Sequence, residues 1–252
     1  GIPGVSQVDV GVAAYAAHGA DGIGAVGGGA PMDVAKAIAL MAHHPGHLFD
    51  YEDGASTRPI DQLIPSIVAI PTTAGTGSEV GRSAVISDDE THAKKIVFDP
   101  QLLPQVVAKG DNPLCDGIAL EGLHLVNRHL KNSVRFAEKL ARGEAVDAAL
   151  HLQARAGMLN ASMMGAIAFQ KGLGVTHSCA HALSTVCNTH HGLANAVMLP
   201  AAMRFNLEAE PAKFLRMARV INPWATSGEV LIDWIMSLSE AIGIPPSLAA
   251  IG

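Results

Sequence analysis

Apolar residues in the first hundred positions come in short runs separated by glycine, proline and acidic turns. Val10 to His18 spaces small apolar residues as a helix does and stops at Gly19. Asp21-Gly-Ile-Gly-Ala-Val26 is a short apolar run, a strand candidate, followed by Gly27-Gly28-Gly29. Pro31 suits the first helical position, Asp33 falls in the first turn, and Val34 to His44 continues the helix. Ile67 to Ile70 reads as a second buried strand closed by Pro71. Ser83 to Ser87 and Lys95 to Phe98 read as two more, joined by a turn at Asp88-Asp89. Such alternation predicts an α/β domain over residues 1–107, built on a largely parallel sheet. After about Lys109 the strand signals stop. Asn112 to His129, Glu144 to Gln170, Val175 to Val186, Leu193 to Leu207, Ala212 to Ile221 and Glu229 to Ile242 all carry helical spacing. They predict an all-helical domain over residues 108–252.

Composition narrows the class. The chain has 252 residues, 49% hydrophobic and 16% charged, with 26 Gly and 14 Pro spread without a period, as in a folded protein. The net charge of −6 contains no basic run, which argues against nucleic acid and anionic membrane as partners. No apolar run reaches a membrane span; Ala161 to Phe169 is too short. Three cysteines, an odd number, and no leader pattern at Gly1 predict a cytoplasmic protein. Cys115, Cys179 and Cys187 read as small buried hydrophobes.

Chemistry concentrates in three places. Gly28, Gly29 and Ala30 sit where a strand hands over to a helix, a place where backbone N–H groups can meet a phosphate. A plain glycine turn explains them equally well. Pro71-Thr72-Thr73-Ala74-Gly75-Thr76-Gly77-Ser78-Glu79-Val80 follows the next strand as a donor-rich loop, at the edge where open α/β sheets bind ligands. Two such loops on consecutive strands favour a nucleotide, with Lys95 as a further contact. The third place is His177 to His191, holding four of the 12 histidines and two of the 3 cysteines. His177 and His181 project from one helix face, and a break at Asn188-Thr189 brings His190 and His191 back towards it. Imidazoles so grouped suit a divalent metal, while satisfied core or surface histidines remain the alternative.

Taken together, Gly27-Gly-Gly-Ala-Pro-Met-Asp33, the Pro71 to Val80 loop, and Gly172-Leu-Gly-Val-Thr-His177 through His181 to His191-Gly192 resemble the iron-containing (group III) alcohol dehydrogenases. Asn195-Ala-Val-Met-Leu-Pro200 and Arg204-Phe-Asn206 extend the likeness over essentially the whole chain. The resemblance implies a Rossmann-like α/β nucleotide-binding domain followed by an all-α metal-binding domain, the dehydroquinate synthase-like architecture. It implies NAD or NADP, and Fe²⁺ or alternatively Zn²⁺. His177 and His191 match metal ligands, and His181 matches a histidine beside nicotinamide and substrate that relays a proton. Gly28, Gly29, Ala30 and Asp33 match the pyrophosphate turn, Thr72, Thr73 and Thr76 the second cofactor loop, and Lys95 a cofactor-contacting lysine. The implied reaction is hydride transfer between a primary alcohol or small diol, or the aldehyde, and NAD(P), in a homo-oligomer, a dimer. A metal-independent reductase of the maleylacetate reductase type and a metal-free non-catalytic relative are the rivals.

Two departures stand out. Ala30 replaces the serine usual in the family, which removes a hydroxyl. The family also places a segment with an Asp-x-x-x-His pair, its two other metal ligands, where this chain runs from Val107 into Ala108. Either the chain lacks that segment, or it is present and simply goes unseen. The second is the expectation, because deleting a buried helix exposes core that nothing here replaces.

Overall fold

The computed structural model describes residues 3–99, 113–168, 174–187 and 189–251. The chain divides into two compact units, Gly1–Ala108 and Lys109–Gly252.

In the first unit, α1 (Val5–His18), β1 (Gly22–Gly27), α2 (Gly29–His43), β2 (Ser66–Pro71), β3 (Ser83–Ser87) and β4 (Lys94–Phe98) follow in order. Gly19 ends α1 in the left-handed region at φ 58°, where a side chain would be strained. Helix α2 begins at Gly29, so Pro31 lies in its first turn and not at its first position. Small residues set its packing. A Cβ on Gly11 of α1 would run into the Ile38 side chain, so the two helices cross closely there. Val5, Val8, Ala37, Leu40, Leu48, Tyr51, Ile86 and Val97 form the main core, and Ala25, Met32 and Ala35 pack α2 onto β1.

The strands pair differently from the single, largely parallel sheet expected. Among the described residues β1 and β2 form a two-stranded parallel sheet, Gly22 opposite Ser66 through Gly27 opposite Pro71. β3 and β4 form a separate antiparallel pair. The short Asp88–Ala93 connection explains it, since so short a link joins antiparallel neighbours and leaves no room for a parallel crossover.

The second unit contains α3 (Pro113–Ala141), α4 (Ala148–Ala168), α5 (Val175–Val186), α6 (His191–Leu207), α7 (Pro211–Ile221) and α8 (Glu229–Ala241). α3 runs a further three turns beyond His129, where Leu130 and Val134 stand one turn apart and the Phe136 ring meets that of His151 on α4. α3 and α4 cross closely at Gly157, whose missing Cβ leaves room for the His129 ring. Met203, Phe214, Ala218, Ala225, Leu231 and Ile232 join α6, α7 and α8 in one core. No helix among the described residues is long and apolar enough to cross a membrane.

Two corrections follow. Cys187 is exposed and Cys179 only half-buried, so of the three cysteines read as buried only Cys115 is. The 252-residue sequence is continuous, with nothing skipped after Val107, so the chain itself lacks the segment expected there. The Val107–Ala108 junction, the helix start at Asn112, the helix end at Gln170, Gly172 and the break at Asn188 lie outside the described residues.

Candidate functional site

One candidate site stands at the carboxyl end of the parallel pair in the first unit. Where β1 and β2 stop, their two loops touch. Thr72 N donates to the Gly27 carbonyl at 2.9 Å. A Cβ on Gly28 would sit 2.8 Å from Thr73 Oγ1, and one on Gly29 would sit 2.7 Å from Thr76 Cγ2. Glycine is therefore demanded at both positions by close approach of the second loop. Thr72, Thr73 and Thr76 are exposed above this contact, while Gly77 and Ser78 are buried beneath it. At the start of α2 the first-turn N–H groups have no partner within the helix, which favours an anion in front of Gly29 and Ala30.

Beneath the loops lies a polar cluster that sequence reasoning missed. Lys36 is only 1% exposed. Its Nζ donates to Ser78 O at 2.7 Å, to Ser78 Oγ at 2.7 Å and to Ser83 O at 3.0 Å. Ser78 Oγ in turn donates to Asp33 Oδ1 at 2.7 Å, and Asp33 Oδ2 accepts from Val85 N at 3.3 Å. Burial pushes the Lys36 ammonium down to about 8, against the pull of Asp33 and Glu79. It pushes the Asp33 carboxyl up, against its bonds and Lys36. One signal for this cluster was available: Lys36 is the lone charge on the apolar stripe Met32, Ala35, Ala39, Leu40 of α2. Asp33 thus turns into the protein interior. Lys95 instead pairs with Glu52 at 3.1 Å and lies 4.5 Å over the Phe49 ring, with no hydrogen bond to the loops among the described residues.

A separate histidine cluster belongs to the helical unit. α5 carries His177 and His181 one turn apart, and α6 begins at His191. Ring centroids are 5.7 Å apart for His177 and His191, 4.9 Å for His181 and His191, and 6.4 Å for His177 and His181. His190 precedes α6 and turns its ring towards Gly192. Burial, and secondarily His181, push His177 below the usual histidine range, so it is neutral at pH 7, the form that ligates metals.

His191 is held from both sides. Ser184 Oγ lies 3.4 Å from its Nδ1, and Asn195 Nδ2 lies 3.1 Å from its Nε2 while donating to the His191 carbonyl at 3.0 Å. Asn195 Oδ1 is buried with no hydrogen-bond partner. Two imidazoles beside an unpartnered amide oxygen have the donor chemistry a divalent ion wants. The number of donors is short. Among the described residues no group of three or more His, Cys, Asp or Glu forms a metal-holding set.

Comparison with known proteins agrees over the full length. The family model described as iron-containing alcohol dehydrogenase matches residues 1–108, and that described as Fe-containing alcohol dehydrogenase family, C-terminal, matches residues 105–252. A 4-hydroxybutyrate dehydrogenase of Cupriavidus necator is 34% identical, covering 99% of this chain and 72% of its own length. A 1,3-propanediol dehydrogenase of Klebsiella pneumoniae is 32% identical, covering 99% and 70%. The solved structure of a sulfoacetaldehyde reductase from Bifidobacterium kashiwanohense in complex with NAD⁺ matches with a TM-score of 0.81 at 26% identity, covering 98% and 70%. The Cupriavidus alignment spans 291 positions against 252 residues here, so that relative carries stretches this chain lacks.

Proposed function

The chain belongs to the iron-containing alcohol dehydrogenase family, and on that premise we propose that it interconverts a primary alcohol or small diol and its aldehyde with NAD or NADP. One observation carries the reading: the glycine turn and the threonine loop meet side by side at the end of the parallel strands. There the N–H groups of Gly29 and Ala30 receive the pyrophosphate, and the hydroxyls of Thr72, Thr73 and Thr76 close over it. Ala30 contributes backbone alone. Gly28 admits Thr73, and Asp33 acts through Ser78 beneath the loop. Lys95 reaches the cofactor only by leaving Glu52.

In the helical unit His177 and His191 would hold the divalent ion, iron or alternatively zinc, with Asn195 Oδ1 as the nearest further donor. When bound, the ion supplies a Lewis acid for the substrate oxygen. His181, whose ring neighbours both, relays the alcohol proton towards solvent. The reading includes a cytoplasmic homodimer, checked by sedimentation of the purified chain.

The test is a substrate panel of diols, hydroxy acids and simple alcohols, run with NADH and NADPH in buffer supplied with Fe²⁺ or Zn²⁺. Turnover that a chelator abolishes is the expected result. The short donor set favours a second reading, a metal-independent reductase, in which turnover survives the chelator. Tight cofactor binding with no turnover on any substrate would leave a non-catalytic relative.

A further inference from the structure

The cradle contains one group that the proposed chemistry does not use. Lys36 lies within the small-residue face of α2, where a methionine would fill the same space without bringing a charge inside. A buried ammonium persists only where its partners offset lost hydration. Here its three protons meet three oxygens, two on Ser78 and one on Ser83.

Those oxygens belong to different elements. Ser78 ends the threonine loop, Ser83 begins β3, and Lys36 stands on the helix whose first turn forms the glycine half of the cradle. The tie continues upward: Ser78 N donates to Thr76 Oγ1 at 3.2 Å, and the Thr76 side chain packs against Gly29. It continues sideways through Ser78 Oγ to Asp33, and from Asp33 to Val85 N. The Asp33 carboxylate lies 4.0 Å from Nζ, too far for a tight pair. The strong contacts of the ammonium are to the loop.

We propose that Lys36 is the positioning residue of the cofactor cradle: its ammonium clamps the Thr72–Ser78 loop onto α2 and so sets the height at which Thr72, Thr73 and Thr76 face the dinucleotide phosphates. This rests on the cofactor reading above. Loss of the ammonium leaves three oxygens at the loop base without a donor, and the loop must shift to reach water.

The experiment is a fluorescence titration of NADH and NADPH into the 252-residue chain, with thermal melting in parallel. The variants are Lys36→Met, the charge-balanced pair Asp33→Asn with Lys36→Met, and Ser78→Ala. Lys213→Ala, an exposed site remote from these residues in sequence, is the control. Lys36→Met is expected to weaken the dissociation constant by about tenfold in the folded fraction. Ser78→Ala keeps both backbone acceptors and loses a few-fold. A purely structural role would instead reduce binding sites per chain and leave the constant unchanged. Should Lys36→Met fail to fold, the paired variant and Ser78→Ala decide the matter. If wild type binds and the folded variants bind equally well, the positioning role is overturned. If wild type binds neither nucleotide, it is the cofactor reading that falls, and the clamp with it.

Discussion

Beneath the candidate cofactor cradle Lys36, Ser78 and Asp33 are paired several times over, whereas beside His191 an amide oxygen, Asn195 Oδ1, is buried with no partner. The cradle draws on two loops, one helix and β3, all between Gly27 and Val85 in sequence. The imidazole cluster supplies two proposed ligands, and the Asp-x-x-x-His pair that the resemblance implies has no counterpart after Val107 in this sequence. The contrast teaches how differently the two kinds of site tolerate loss. A phosphate cradle made of backbone N–H groups and short hydroxyls is a local construction, complete once two strand ends lie together. A metal site needs donors converging from several elements, so removing one segment halves it.

The contrast can be broken most forcefully at the histidines. His177→Ala should lower metal-dependent turnover by about 100-fold or more, with the NADH dissociation constant nearly unchanged. Full activity of that variant in metal-replete buffer would remove His177 from the ligand set. On the other side, Gly29→Val drives a side chain into Thr76, and the expected loss of cofactor affinity is about 10- to 100-fold. Zinc binding, followed by calorimetry, should stay as in wild type; a parallel loss would mean global damage.

A gain sharpens the comparison further. Asn195→Asp puts a carboxylate beside His191, and Zn²⁺ affinity should rise by roughly tenfold. Unchanged affinity would separate Asn195 from the ion. The smallest effect concerns pH. Burial lowers Lys36 from 10.5 to about 8, so the folded chain releases this proton before the unfolded chain does. This group alone therefore adds stability as pH rises from about 8 towards 10.5. The neutral amine has one proton fewer to donate, so NADH affinity should fall a few-fold over the same range with no matching drop in melting temperature. A flat affinity profile would argue against the ammonium as the clamp.

Much of this was legible before any fold was known. Val175 to Val186 emerges with the bounds its periodicity predicts, and the four strands appear within a residue or so of their apolar runs. The apolar spacing predicts an end for α3 at His129, twelve residues early, because Lys131, Arg135 and Glu138 dilute it in the last turns. Cys187 was read as buried and is exposed, since one cysteine on a helix end carries no periodic signal. Lys36 is hidden in the sequence for the opposite reason. Its neighbours mark the position as core, and a lysine in core has meaning only once Ser78 and Ser83 are known to stand against it.

Local order alone determined the helices, the strands, the two ligand-ready loops and the i, i+4 histidines, because each depends on residues a few positions apart. Tertiary structure alone decided that β1 pairs with β2, that Gly28 and Gly29 must make way for Thr73 and Thr76, and that a buried ammonium binds the loop from below. Those are contacts across 40 or more positions of chain, and they exist only once burial has assigned each side chain a partner.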